Sequence, residues 1–111
     1  MAATTLTEKQ LGQSRPPTGG TPVVLYTPPA TTNAIIISIW ICNTSGSKAT
    51  FLVYGDYNGV VYTEVTALMW DIEVLGNESF EVLKGSRICM NDTNGNLAVE
   101  CDTNLAVTFT A

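Results

Sequence analysis

The sequence predicts an all-β domain, and three observations carry that expectation. Short runs of apolar and β-branched residues recur between clusters of Gly, Asn, Asp, Ser and Pro, at the spacing of strands in a sandwich or barrel. No segment shows an apolar stripe of 3.6-residue period for more than one turn, which confines helix at most to Thr7 through Leu11. At 111 residues the chain is long enough for one hydrophobic core and too short for two. The expected architecture is a single small β-sandwich, jelly-roll or Ig-like, of about eight short antiparallel strands. It occupies residues 23–111 and follows an extended N-terminal arm over residues 1–22.

The arm is rich in Thr, Gln, Gly and Pro, with Leu6 and Leu11 as its main apolar side chains. Its Arg15-Pro16-Pro17-Thr18-Gly19-Gly20-Thr21-Pro22 run excludes helix and a central strand, because proline cannot donate to a hydrogen-bond ladder. Val23 to Thr27 is the first strand and Pro28-Pro29 closes it. Ala34 to Cys42 is the longest apolar run. Alternation places Ile35, Ile37, Ile39 and Ile41 on one face, as a β-branched core surface. Ala34, Ile36, Ser38, Trp40 and Cys42 fall on the other, mixed face, which is expected to meet a neighbouring subunit, a loop or the arm.

Asn43-Thr44-Ser45-Gly46-Ser47 is a turn cluster. Ala49 to Tyr54 and Val60 to Val65 are expected to pair around Asp56-Tyr57-Asn58-Gly59, since Asn-Gly between apolar runs is a hairpin signal. Ala67 to Leu75 follows and ends at Gly76-Asn77-Glu78-Ser79. Phe80 to Leu83, Arg87 to Asn91, Leu97 to Asp102 and Leu105 to Thr110 complete the series.

Composition narrows the function. The net charge is −5, with Lys9 and Arg15 against Glu8 in the arm and an excess of acid in the body. An acidic body is unsuited to phosphate neutralisation, so no nucleic-acid partner is expected. Its plainest role is solubility. The apolar run from Ala34 to Cys42 is less than half the ~20 residues a helix needs to cross a bilayer, and no membrane partner is expected. Met1 to Thr5 lacks the basic and apolar regions of a secretory signal. Three cysteines, Cys42, Cys89 and Cys101, are accordingly expected as buried thiols, a Cys89–Cys101 bridge being the geometric alternative.

Catalytic equipment is sparse. Histidine is absent, so neither a Ser-His-Asp nor a Cys-His nucleophile can be assembled. Asn91-Asp92-Thr93-Asn94-Gly95-Asn96 resembles a calcium loop, but its glycine comes too early and the closing glutamate has no counterpart. Glu100 and Asp102 share a strand face, with Asp92 near in sequence. Such a pair can serve glycoside hydrolysis or an oxygen-ligand metal site, but a solvated acidic edge accounts for it more simply. Three Asn-x-Ser/Thr triplets, at Asn43, Asn77 and Asn91, coincide with turns. Tyr54, Tyr57, Tyr62 and Trp70 are a candidate aromatic platform, against which stands ordinary cross-strand packing. No cofactor, no metal and no enzymatic activity are expected.

Leu11-Gly12-Gln13-Ser14-Arg15-Pro16, then Leu25-Tyr26-Thr27-Pro28-Pro29-Ala30, then Ile37-Ser38-Ile39-Trp40-Ile41-Cys42-Asn43 and Thr50-Phe51-Leu52-Val53 occur in that order. Ala67 to Ile72, Leu75-Gly76-Asn77-Glu78-Ser79-Phe80 and Leu97 to Phe109 continue the pattern. In this order the chain resembles a group of small virion structural proteins of tailed bacteriophages. The resemblance implies a non-enzymatic virion component assembled in the bacterial cytoplasm. It implies a capsid decoration (cement) protein on the outside of an icosahedral head, partnered by the major capsid protein and associating as a trimer or dimer. The contact residues expected on this reading are Leu6, Leu11, Arg15, Trp40, Tyr57 and Trp70. The alternatives are a neck, tail or baseplate accessory or adhesion protein, and a carbohydrate-binding module using Tyr54, Tyr57 and Trp70.

Overall fold

The structure, a computed structural model, describes residues 9–29, 31–56, 62–83, 85–90 and 96–111. Among the described residues there are ten strands and no helix. In chain order they are β1 (Gln13–Ser14), β2 (Val23–Tyr26), β3 (Ala34–Ile36), β4 (Trp40–Asn43) and β5 (Ala49–Asp56). There follow β6 (Ala67–Val74), β7 (Ser79–Glu81), β8 (Ile88–Met90), β9 (Asn96–Cys101) and β10 (Val107–Thr110). One four-stranded sheet has the order β1-β10-β4-β7, a second has β2-β9-β5-β6, and β3 pairs with β8 alone. Every pairing is antiparallel.

The core lies between the two four-stranded sheets, as expected of a sandwich-like all-β chain. Phe51 on β5 is fully buried, its ring 6.0 Å from Phe109 on β10 and 5.9 Å from Phe80 on β7. Phe51 belongs to one sheet, and Phe80 and Phe109 to the other. Burying a side chain of this size is worth about 1.5–3 kcal/mol, so this trio is a principal tie between the layers. Ile41, Val53, Leu97, Val99 and Val107 fill the space around it.

The Ala34 to Cys42 run departs from its expected single strand. It is broken at Ile37–Ile39 into β3 and β4, which take different partners, β8 and β7. The break shifts the alternation by one residue. Ile36, Ile39 and Ile41 are fully buried, while Ile35 and Ile37 are 49% and 58% exposed. The gap in the ladder is filled by Glu81, whose carboxylate accepts hydrogen bonds from the backbone N–H groups of Ile39 (3.3 Å) and Leu83 (2.6 Å). A polar backbone group is thereby satisfied where no strand neighbour reaches it.

Val60 to Val65 is the second departure. Its described part, residues 62–65, is not strand. Thr66 N–H donates to the Thr63 carbonyl at 3.1 Å in a turn that leaves Val65 90% exposed. The Asn58-Gly59 hairpin signal lies outside the described residues. So do Leu6, Tyr57 and Asp92.

Residues 9–22 contain no helix, and from Leu11 to Gly20 they are stitched to the sandwich. Leu11 N–H donates to the Ala111 carbonyl at 2.8 Å, and Ala111 N–H donates back to Gly12 at 2.9 Å. β1 adds an edge to β10, Leu105 N–H donates to Pro16, and Gly20 N–H donates to Cys101. Two glycines permit this close approach. A Cβ on Gly12 would lie 2.1 Å from the Leu25 carbonyl oxygen, and one on Gly19 would lie 2.5 Å from that of Asp102.

Candidate functional site

The break in the isoleucine run determines what the surface offers. Ile35 and Ile37, turned outward, lie beside Trp40, which is 52% exposed at the start of β4. The three line an open groove of about 1030 Å³. Leu11 from the N-terminal segment and Tyr26 from the end of β2 also line it. Lys9 and Arg87 reach it from opposite ends of the sequence, and no acidic side chain is among its described lining residues. This apolar, cationic groove contrasts with a chain of net charge −5.

The expected contact residues separate into distinct places. Leu11 and Trp40 both line the groove. Arg15 is exposed beyond the end of β1 and does not line it. Trp70 is 44% exposed on β6, which is an edge strand of its sheet. Leu68 (44%) and Ile72 (40%) on the same strand are exposed as well. Asp71 breaks the β6 ladder with a positive φ of 50°, in the stretch where the register against β5 shifts. A bulge at an edge is a usual defence against unwanted strand pairing. Sequence reasoning missed Ile35, Ile37, Lys9 and Arg87; the one available signal was an apolar run too rich in isoleucine to bury on a single face.

Burial removes Tyr54 from the candidate aromatic platform, while Trp70 stays half-exposed and Tyr57 lies outside the described residues. Tyr54 is only 3% exposed, with Tyr62 at 5.7 Å and Trp70 edge-on at 6.3 Å. The Tyr54 hydroxyl donates to Glu100 Oε1 at 2.8 Å. Burial first, and then the Glu100 carboxylate, push the Tyr54 hydroxyl up to about 12. Burial, followed by the Asp56 carboxylate, also raises Tyr62.

Glu100 and Asp102 are each engaged in structural hydrogen bonds. Asp102 Oδ1 accepts from the Thr50 N–H at 3.0 Å and the Thr103 hydroxyl at 3.1 Å. Burial works to raise the Asp102 carboxyl, but these hydrogen bonds outweigh it and hold it below its ordinary value. Their strand, β9, lies between β2 and β5, so the acidic-edge explanation for the pair is corrected: the strand is interior. Among the described residues no group of three or more His, Cys, Asp or Glu is placed to hold a metal ion.

The cysteine expectation is also corrected. All three are free thiols; Cys101 is buried and donates to the Thr103 carbonyl, but Cys42 and Cys89 are exposed. A Cys89–Cys101 bridge has no cross-strand register, because β8 pairs with β3 while β9 pairs with β2 and β5. Among the described residues no helix is long and apolar enough to cross a membrane. Compared with known proteins, the chain matches no family model, no curated protein and no solved structure.

Proposed function

We propose that this chain is a virion structural protein of a tailed bacteriophage, a capsid decoration protein that binds the outside of the icosahedral head. The observation that carries the reading is the apolar surface left uncovered on two separate faces. These are the Ile35–Ile37–Trp40 groove and the half-exposed Trp70 on the β6 edge. Exposed apolar patches rimmed by polar residues mark surfaces that a partner covers. The motif order from Leu11 to Phe109 supplies the class of partner.

The strand order supports the same reading at a finer level. Counting β3 with β4 and β7 with β8 as interrupted strands gives eight strands in two sheets, the pattern of a jelly roll. That fold occurs in viral capsid domains and in lectins, so the surface rather than the fold decides between them. The buried Tyr54 is withdrawn from a sugar platform, which is one reason to prefer the virion.

A decoration protein stabilises a shell by burying apolar area across the joints of neighbouring capsomers. Each Å² contributes ~25 cal/mol, repeated over every copy. The contact residues on this reading are those of the two patches together with the N-terminal segment around Leu11. The test is to add the purified chain to heads that lack it and to pellet them. Co-sedimentation and a rise in the temperature of head disruption are expected. A chain that stays in the supernatant while binding isolated tails would mean the neck or tail instead.

A further inference from the structure

Two registers of the isoleucine run compete for the same core. In the observed one Ile36, Ile39 and Ile41 are fully buried. The alternation turns over in residues 37–39, which carry one residue too many for a straight strand, as in a β-bulge. Sliding β3 by one place toward its N-terminus removes that extra residue. Ile37 then takes the place of Ile36, opposite Ile88, and Ile35 takes that of Ala34, opposite Met90. A one-residue slip moves every side chain of a strand to the other face. Ile35, Ile37, Ile39 and Ile41 are then all buried, one isoleucine more than in the observed run. Apolar burial therefore does not select the observed register. The ladder at Ile39 shows what does. Its carbonyl accepts from the Val82 N–H at 3.0 Å, but its own N–H donates to the Glu81 carboxylate instead of returning the bond to Val82. The same carboxylate oxygen accepts from the Leu83 N–H at 2.6 Å.

We propose that residues 34–39 are a two-position register switch, with Glu81 as the latch that keeps Ile35 and Ile37 in the groove. In the slipped position the Ile39 N–H passes to the Val82 carbonyl and Glu81 is released. Ile35 and Ile37 leave the surface, and Ile36 is left beside Trp40. The displaced residue enters the turn just upstream, where Thr32 N–H donates to Pro29 at 3.1 Å. Thr31 in that turn is held at a φ of 60°, which is unfavourable for a β-branched residue, so added length there relieves strain. A partner that seats Ile35 and Ile37 binds one position only and draws the population toward it. That consequence rests on the groove being the contact proposed above; the switch itself does not.

Cys89 supplies the test, because it is an exposed free thiol directly opposite Ile35 across the β3–β8 pair. Directly opposed residues of an antiparallel pair stand within disulfide reach, and a neighbour on the other face does not. In the full chain carrying Cys42→Ser, Ile35→Cys should bridge to Cys89 on mild oxidation, whereas Ile36→Cys should bridge only after a slip. Glu81→Leu should speed the Ile36→Cys bridge by roughly tenfold or more, as for loss of hydrogen bonds to a charged acceptor, and slow the Ile35→Cys bridge. Glu81→Gln, which keeps an acceptor oxygen, should preserve the wild-type pattern. Ile37→Asp, exposed in the observed register and buried by the slip, should abolish the Ile36→Cys bridge in the Glu81→Leu background. Bridging that came from unfolding would survive that change. An Ile36→Cys bridge whose rate ignores Glu81, or that persists with Ile37→Asp, would overturn the proposal. Head binding is read separately by co-sedimentation, so a failed switch and a failed virion contact are distinguishable.

Discussion

The Tyr54 hydroxyl, on β5, donates a 2.8 Å hydrogen bond to the carboxylate of Glu100, on the neighbouring β9. The bond holds a buried phenol against an anion, and the folded state therefore keeps its proton to about pH 12. Unfolded, the same group titrates near 10. Stability from this pair is thus fully present below pH 10 and is lost as pH rises through 12. Denaturant unfolding measured at increasing pH should show this loss. Tyr54→Phe should remove part of the alkaline dependence, and an unchanged alkaline slope in that variant would contradict the assignment.

Asp102 governs the acid side. Its carboxyl is held low by the Thr50 N–H and the Thr103 hydroxyl, so its contribution is present above the unfolded value near 3.9 and fades as pH falls through the lowered folded value. Asp102→Asn should flatten that part of the acid unfolding curve. A curve superimposable on the wild type would refute the role.

The isoleucine run gives a sharper test. Ile36→Ala should cost about 2–5 kcal/mol as a buried truncation, whereas Ile35→Ala and Ile37→Ala should each fall within ~0.5 kcal/mol. The order would reverse if Ile35, Ile37, Ile39 and Ile41 shared one buried face. Chemical denaturation of the three variants decides between the two phases.

Gly12→Ala should destabilise by about 1–3 kcal/mol, because the added carbon meets the backbone of Leu25, which no rotamer change can move. The loss should be local. Amide exchange should speed up at Leu11, Ala111 and Leu105, whose hydrogen bonds hold the segment down, while the Phe51 region keeps its protection. Uniform exchange across the chain would contradict it.

Much of the fold was legible from residue pattern. Apart from Val60 to Val65, strand positions after Ala49 followed from β-branched runs and their turns, and the Asn43 cluster behaved as read. There the buried Asn43 side chain bonds Ser45 and Ser47 and crosses to the Val74 carbonyl. The phase of Ile35 to Ile41 was not legible, because it depends on Glu81 filling a ladder gap from 42 residues away. Val60 to Val65 read as strand by composition, yet its described part folds as a turn through Thr63–Thr66 backbone and hydroxyl hydrogen bonds. Leu11 and Trp40 were expected as contact residues, but that they line one groove was not legible. Its Leu11 wall is set by a segment distant in sequence, which Gly12 lets lie against the Leu25 backbone.

The proposed place of this chain is the outer surface of a phage head. A reconstruction of the particles, with and without this chain, tests it directly. Density of this size is expected at repeated positions over the outer head surface, absent when the chain is deleted. Density confined to the neck or tail, or particles from which the chain is missing altogether, would contradict it.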